Sequence, residues 1–167
     1  MTKGNRMHIR PYTPNDAAAI CAIYNHYIEH TVITFEEIPL SVAQMQERIA
    51  AYTQLYPWLV CEVGGEVVGY AYASKWKERV AYKHTAEITV YLKHNITHKG
   101  YGSALYAELI EQLKLKGCHV LLGCIAIPNE PSTRLHERFG FKQVACFTEV
   151  GRKFDRWLDV GYWQKVL

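Results

Sequence analysis

The segment Ala86-Glu87-Ile88-Thr89-Val90-Tyr91-Leu92 leads, four residues on, into Thr97-His98-Lys99-Gly100-Tyr101-Gly102-Ser103 and then into an apolar pattern of helical period. It reads as strand, short glycine-containing loop, helix. Such a loop turns several backbone N–H groups towards one point, and the helix behind it adds free N–H groups and a positive dipole end. Together they form a cradle for a phosphate or pyrophosphate. Gly100 and Gly102 let a bulky anion approach the main chain and permit unusual φ values. Neither G-x-x-x-x-G-K-[ST] nor G-x-G-x-x-G is present, which excludes the commoner nucleotide loops. A plain strand–helix turn is the alternative reading of so short a motif.

Along the strand, Glu87, Thr89 and Tyr91 point one way and Ile88, Val90 and Leu92 the other. A carboxylate in so apolar a strand needs a partner, water or a chemical task. The preceding connection, residues 75–85, carries four cations beside Glu78 and enters the Glu87 strand directly, so its side chains are expected beside any site there. Downstream, Leu105, Leu109, Ile110 and Leu113 give a helix from about Gly102 to Lys116, stopped by Gly117. Residues 120–127 read as a central, doubly covered strand. Pro128-Asn129-Glu130-Pro131-Ser132 opens a short helix closed by Gly140, and residues 141–152 and 158–166 read as a final strand pair turning near Asp155.

Upstream, residues 1–7 read as a loose leader and 8–12 as a first strand. Thr13-Pro14-Asn15-Asp16 starts a helix with a capping box, and Ser41 with Gln44 starts a second, whose apolar face is Val42, Met45, Ile49 and Tyr52. Pro57 ends that helix, and residues 58–63 and 67–74 form a hairpin across Gly64-Gly65. The expected fold class is mixed α/β around a largely antiparallel sheet, in one domain spanning 1–167.

With 49% hydrophobic and 21% charged residues, the chain has the composition of a soluble globular protein. A net charge of +3 is too small to argue for a nucleic-acid partner, and none is expected. No apolar run approaches the ~20 residues of a membrane span. The five cysteines, odd in number and without C-x-x-C spacing, read as reduced thiols of a cytoplasmic protein. His26-Tyr27-Ile28-Glu29-His30 spells H-x-x-E-H, a zinc pattern that makes a hydrolase a third reading of the chain. Against it, no further residue is marked out as third ligand, so no metal is expected.

The loop resembles the cofactor loop of the GNAT superfamily of acetyltransferases, Q/R-x-x-G-x-G/A, with Thr97 in the Q/R position. That departure removes one side-chain donor and leaves the backbone donors and both glycines. Longer strings resemble the phosphinothricin and methionine-sulfoximine N-acetyltransferases. They are Arg79-x-Ala81-Tyr82-x-x-Thr85-x-Glu87, Pro128-Asn129-x-Pro131-Ser132-x-x-Leu135-His136-Glu137 and Trp157-x-Asp159-Val160-Gly161-Tyr162-Trp163-Gln164, with Tyr24–Glu29 and Tyr56–Val60.

The resemblance implies the GNAT fold, acetyl-CoA as co-substrate and transfer of acetyl to the α-amine of a small glutamate-like amino acid, by direct attack in a ternary complex. It implies Glu87 as base acting through water, and His136 in the site as acid, base or substrate contact. Val90, Tyr91, Leu92, His98, Lys99, Gly100, Tyr101, Gly102, Ser103, Asn129 and Ser132 are the implied cofactor residues. Lys77, Glu78, Arg79, Tyr82, Thr85, Thr89 and Phe35, with Glu87, are those for the amino acid, Arg79 gripping its carboxylate. A homodimer follows by analogy. A non-catalytic acyl-CoA-binding module is the rival; retention of both Glu87 and His136 weighs against it.

Overall fold

The computed structural model describes residues 6–96 and 100–167, so the expected leader lies largely outside the described residues. Seven strands form one sheet: β1 (Met7–Pro11), β2 (Trp58–Val63), β3 (Glu66–Lys75), β4 (Thr85–Leu92), β5 (Val120–Ile127), β6 (Lys142–Lys153) and β7 (Arg156–Val166). Their order is β1-β2-β3-β4-β5-β7-β6. Every pairing is antiparallel except β4 with β5. The expected class, a mixed α/β fold on a largely antiparallel sheet, is the one observed.

Four helices cover the sheet: α1 (Ala17–His30), α2 (Val42–Thr53), α3 (Tyr101–Leu115) and α4 (Glu130–Arg138). Alternation along the strands sends their side chains into two cores. On one face Trp58, Val60 and Tyr70 meet Ile20, Ile28, Met45 and Ile49 of α1 and α2. On the other, Leu59, Ala71 and Ile88 meet Leu105, Leu109 and Leu113, spaced by one helical turn on α3.

The helix starts follow their caps. Ser41 accepts from the Gln44 amide at 3.1 Å, and the Gln44 side chain accepts from the Ser41 amide at 2.9 Å. The Thr13–Asp16 box forms too, but its first turn, Pro14–Asp16, winds as 3₁₀ before α1 begins. There the Asp16 carboxylate accepts from both Arg10 guanidinium nitrogens at 2.8 Å and from the Thr13 amide at 2.8 Å. Element ends shift by one or two residues, and three details differ from expectation. Met7 belongs to β1, which ends at Pro11. Val42 is exposed, so the buried face of α2 is Met45 and Ile49. The 75–85 connection contains a 3₁₀ turn, Val80–Tyr82.

The loop after α1 crosses to the far end of the sheet and is pinned there. Lys153, 2% exposed, donates from Nζ to the Thr34 carbonyl at 2.8 Å. Glu36 holds Arg48 in two bonds and also accepts from the Tyr24 hydroxyl. Phe35 is thereby set against Gly151 of β6, where a Cβ would come within 2.3 Å of its ring.

Asp16→Ala removes a nearly buried charge-pair partner and a cap in one step. It is expected to cost about 2–3 kcal/mol at pH 7, read by denaturant unfolding. The Arg10 hydrogen bonds hold the Asp16 carboxyl below the usual carboxylate range. That stabilisation is present above the unfolded pKa, about 3.9, and is lost as pH falls through the lower folded value. The gap between wild type and variant should close on acidification.

Candidate active site

β4 and β5 are in register only at Thr85↔Val120, Ala86↔Leu121 and Glu87↔Leu122. Beyond that they part, because each keeps its outer partner: β4 follows β3 to Leu92, and β5 follows β7 to Ile127. The gap holds a cavity of about 540 Å³, walled by residues 88–92, residues 124–126 and the first turns of α3 and α4. The Lys93 amide donates to Val68 at 2.8 Å, which fixes the alternation along the β3–β4 ladder. Thr89 and Tyr91 turn their amides to β3; Val90 and Leu92 turn theirs into the gap. The Leu92 carbonyl accepts from the Tyr27 hydroxyl in keeping with this.

Two helix ends close the cavity. Gly100 is the N-cap of α3 at φ +77°, with nothing within 4 Å of a Cβ built there. The amides of Tyr101, Gly102 and Ser103 have no acceptor within the helix and open on the cavity wall. Arg138 donates to Ser103 Oγ at 3.1 Å and Arg134 to Glu130 at 3.2 Å, so two guanidinium groups flank the same mouth. At α4 the cap is Asn129, whose Oδ1 accepts from the Ser132 amide at 3.4 Å. Ser132 is the third residue of the helix.

His136 is 3% exposed. Its Nδ1 lies 2.7 Å from the Ser132 carbonyl, which can only accept, so the proton sits on Nδ1. Nε2 is then an acceptor, and the Tyr106 hydroxyl 3.1 Å away donates to it. Burial lowers the imidazole pKa, in agreement with a neutral ring. The ring sits on Gly123 of β5, where a Cβ would stand 2.4 Å from Nε2, and meets Tyr106 and Phe141 edge to face.

Glu87 lies on the opposite face of the sheet from His136, one residue before the cavity wall begins. It is half-buried, and burial raises its carboxyl pKa. Among the described residues no cation stands within ion-pair distance of it, so pairing with Lys77 or Arg79 does not occur. Lys77, Glu78, Arg79 and Tyr82 line a separate recess. Thr85 is at the closed, paired end of β4, away from the gap, whereas Thr89 lines the cavity. Val90, Tyr91, Leu92, Gly100, Tyr101, Gly102, Ser103, Asn129, Ser132 and His136 are all in the cavity wall. Thr97, His98 and Lys99 lie outside the described residues.

Sequence reading missed Tyr106, Cys124, Arg134 and Arg138 in that wall. Arg134 and Arg138 were legible as a four-residue repeat on one helix face; Cys124 was hidden in a continuous apolar run. His26 stacks on His94 with ring centroids 3.7 Å apart and planes 12° from parallel. In-plane lone pairs of stacked rings do not converge. Among the described residues no group of three His, Cys, Asp or Glu side chains is arranged to hold a metal.

The acetyltransferase (GNAT) domain model matches residues 9–161. The chain belongs to the GNAT acetyltransferases. It is 41% identical to a phosphinothricin N-acetyltransferase of Streptomyces viridochromogenes, over 95% of this chain and 87% of that one. It is 36% identical to an L-methionine sulfoximine/L-methionine sulfone acetyltransferase of Pseudomonas paraeruginosa, over 89% and 88%. Among solved structures, a GNAT phosphinothricin acetyltransferase of Sinorhizobium meliloti in complex with acetyl-CoA superposes with a TM-score of 0.93 at 33% identity, covering 96% of this chain and 88% of that one.

In this GNAT chain, Gly123→Ala places a methyl group on the His136 ring. The expected result is a loss of about 1–3 kcal/mol on unfolding. Displacement of the imidazole should appear as a shift of its NMR resonances and a higher His136 pKa.

Proposed function

We propose that residues 1–167 form one catalytic domain that transfers acetyl from acetyl-CoA to the α-amine of a small amino acid of the phosphinothricin, methionine sulfoximine or sulfone kind. The observation that carries the reading is the parting of β4 from β5. It leaves two strand amides, three helix amides and two arginines around one cavity, a donor set suited to a thioester arm and its phosphates. The relatives' printed activities and the acetyl-CoA complex support the same reading. Acetyl-CoA supplies the activated acyl group.

The residues divide the work. The attacking α-amine must lose a proton, and Glu87 is the base we assign, directly or through one water. Burial without a cationic partner moves its carboxyl towards the useful range. The Val90 and Leu92 amides would face negative charge developing on the acyl oxygen. Gly100–Ser103, with Arg134 and Arg138, would hold the diphosphate, and the Asn129 side-chain amide nitrogen would meet the pantetheine amides. Arg79, exposed in the recess with Lys77 and Tyr82, is assigned to the acceptor carboxylate, and Phe35 to the pocket wall. His136 is assigned a positioning role, since both ring nitrogens are engaged and the ring is neutral.

Transfer is assigned to direct attack. The Cys124 thiol of the cavity wall is pushed up by partial desolvation and by the neighbouring Glu87 charge, which disfavours an acetyl-enzyme. No helix is long and apolar enough to cross a membrane, and a cytoplasmic location is part of the proposal. So is a homodimer: edge strand β6 exposes Val144, Phe147 and Val150, with Trp157 exposed on β7.

Glu87→Gln is expected to lower kcat/KM by about 10²-fold or more in a thiol-release assay with acetyl-CoA and methionine sulfone. Wild-type activity should fall on the acid side as the raised carboxyl takes up its proton, and the variant should lack that limb. Unchanged activity and profile would remove Glu87 from the mechanism, and a stable acetyl-enzyme seen by mass spectrometry without amine would refute direct attack. Sedimentation should report a dimer that Val144→Lys with Val150→Lys converts to monomer.

A further inference from the structure

Cys124 and Tyr162 face one another in register across β5 and β7. Glu87 pairs with Leu122, two residues before Cys124 on the same strand. Side chains alternate, so Glu87, Cys124 and Tyr162 share the face opposite His136. The Cys124 thiol is exposed in the cavity wall, where the strands have parted. The Tyr162 hydroxyl lies against that thiol and against the Trp76 indole, and both groups feel the Glu87 charge. Trp76 in turn meets Tyr82 edge to face at 5.2 Å and carries Lys77 Nζ 5.0 Å above its ring. Cys124, Tyr162, Trp76 and Tyr82 therefore form a chain of neighbouring side chains from the cavity wall to the recess of Lys77, Arg79 and Tyr82.

We infer that Cys124 and Tyr162 form the polar floor of the amino-acid site and select acceptors whose side chain ends in an oxygen. The inference rests on the N-acetyltransferase reading above. An apolar strand pair would present hydrocarbon at these two positions; this pair presents a phenol and a thiol. Burial pushes the Tyr162 hydroxyl up to about 12, so it stays a donor throughout the working range. A sulfone, sulfoximine or phosphinyl oxygen accepts from it. A thioether of the same length leaves the phenol without that partner, and an unmet polar group in a half-closed site discriminates against it. Phe147 packs edge to face on the Tyr162 ring at 6.0 Å and fixes its direction.

Methionine sulfone and methionine differ only in the two oxygens and make the test. For Tyr162→Phe, the ratio of kcat/KM for sulfone over methionine should drop about tenfold, chiefly through KM for the sulfone. Cys124→Val should lower the ratio in the same direction by less. In the wild type, iodoacetamide should alkylate Cys124, mapped by peptide mass spectrometry, and saturating sulfone should slow that labelling severalfold where methionine does not. A Tyr162→Phe variant that leaves the ratio unchanged, or Cys124 labelled equally fast with and without sulfone, overturns the inference. Wild-type protein that acetylates neither amino acid, nor phosphinothricin or methionine sulfoximine, overturns the underlying activity instead.

Discussion

Two neighbouring strands in this protein cannot stay together, and the site is built on that constraint. β4 is committed to β3 along its whole length and β5 to β7, with the parallel contact between them limited to three residue pairs. A buried strand edge with unmet amides is costly. Here it is tolerated because the gap is an open cavity, where solvent or a ligand can take those hydrogen bonds. Tyr27 meets one of the freed carbonyls from α1. The amides of Val90 and Leu92 remain as donors of fixed direction, the form of preorganisation that stabilises developing charge without reorganisation.

The sheet also separates tasks by face. On the α3–α4 side the gap is lined by helix amides, Arg134, Arg138 and the locked Tyr106–His136 pair, a surface suited to a phosphorylated carrier. On the other side stand Glu87, Cys124 and Tyr162, with Trp76 and Tyr82 closing over them. Only where the strands part can a group on one side reach one on the other. The 31–40 loop is held by the buried bond from Lys153 to the Thr34 carbonyl and by Glu36, which binds Arg48 and Tyr24.

Much of the architecture was legible because its signals are local. Capping pairs, the Gly64-Gly65 turn and the four-residue apolar repeat of α3 each act within a few residues of where they are read. The register of β4 against β5 is not local: three paired residues and then none is a property of what β3 and β7 do to their neighbours. For that reason Glu87 and the glycine loop could be singled out, while Cys124 and Tyr106 could not. Cys124 looked like one apolar residue among eight, and only the pairing of Glu87 with Leu122, two residues earlier on β5, brings it to the Glu87 face. Asn129 and Ser132 were singled out together, but which of them caps α4 was not legible, since either side chain suits a cap. The histidine string of α1 shows a related limit: spacing relates His26 to His30 within the helix, but not to His94, from another part of the chain, which stacks on the His26 ring.

The hydrogen bonds of His136 limit how protons can move. A ring that donates through Nδ1 to a carbonyl and accepts through Nε2 from a phenol has no free site for a further proton. Protonating it would place a charge in a buried pocket and turn Tyr106 from donor to acceptor. Tyr106, fully buried, is itself pushed far above the usual phenol range, mainly by burial. Neither is therefore a good source of a proton for a departing thiolate near neutral pH. The titratable group best placed to change its charge is Glu87, on the far side of the sheet. Uptake from the amine and release to the thiolate are then not one relay. On the proposed reading, the first is assigned to Glu87 and the second to solvent at the open mouth, beside Arg134 and Arg138.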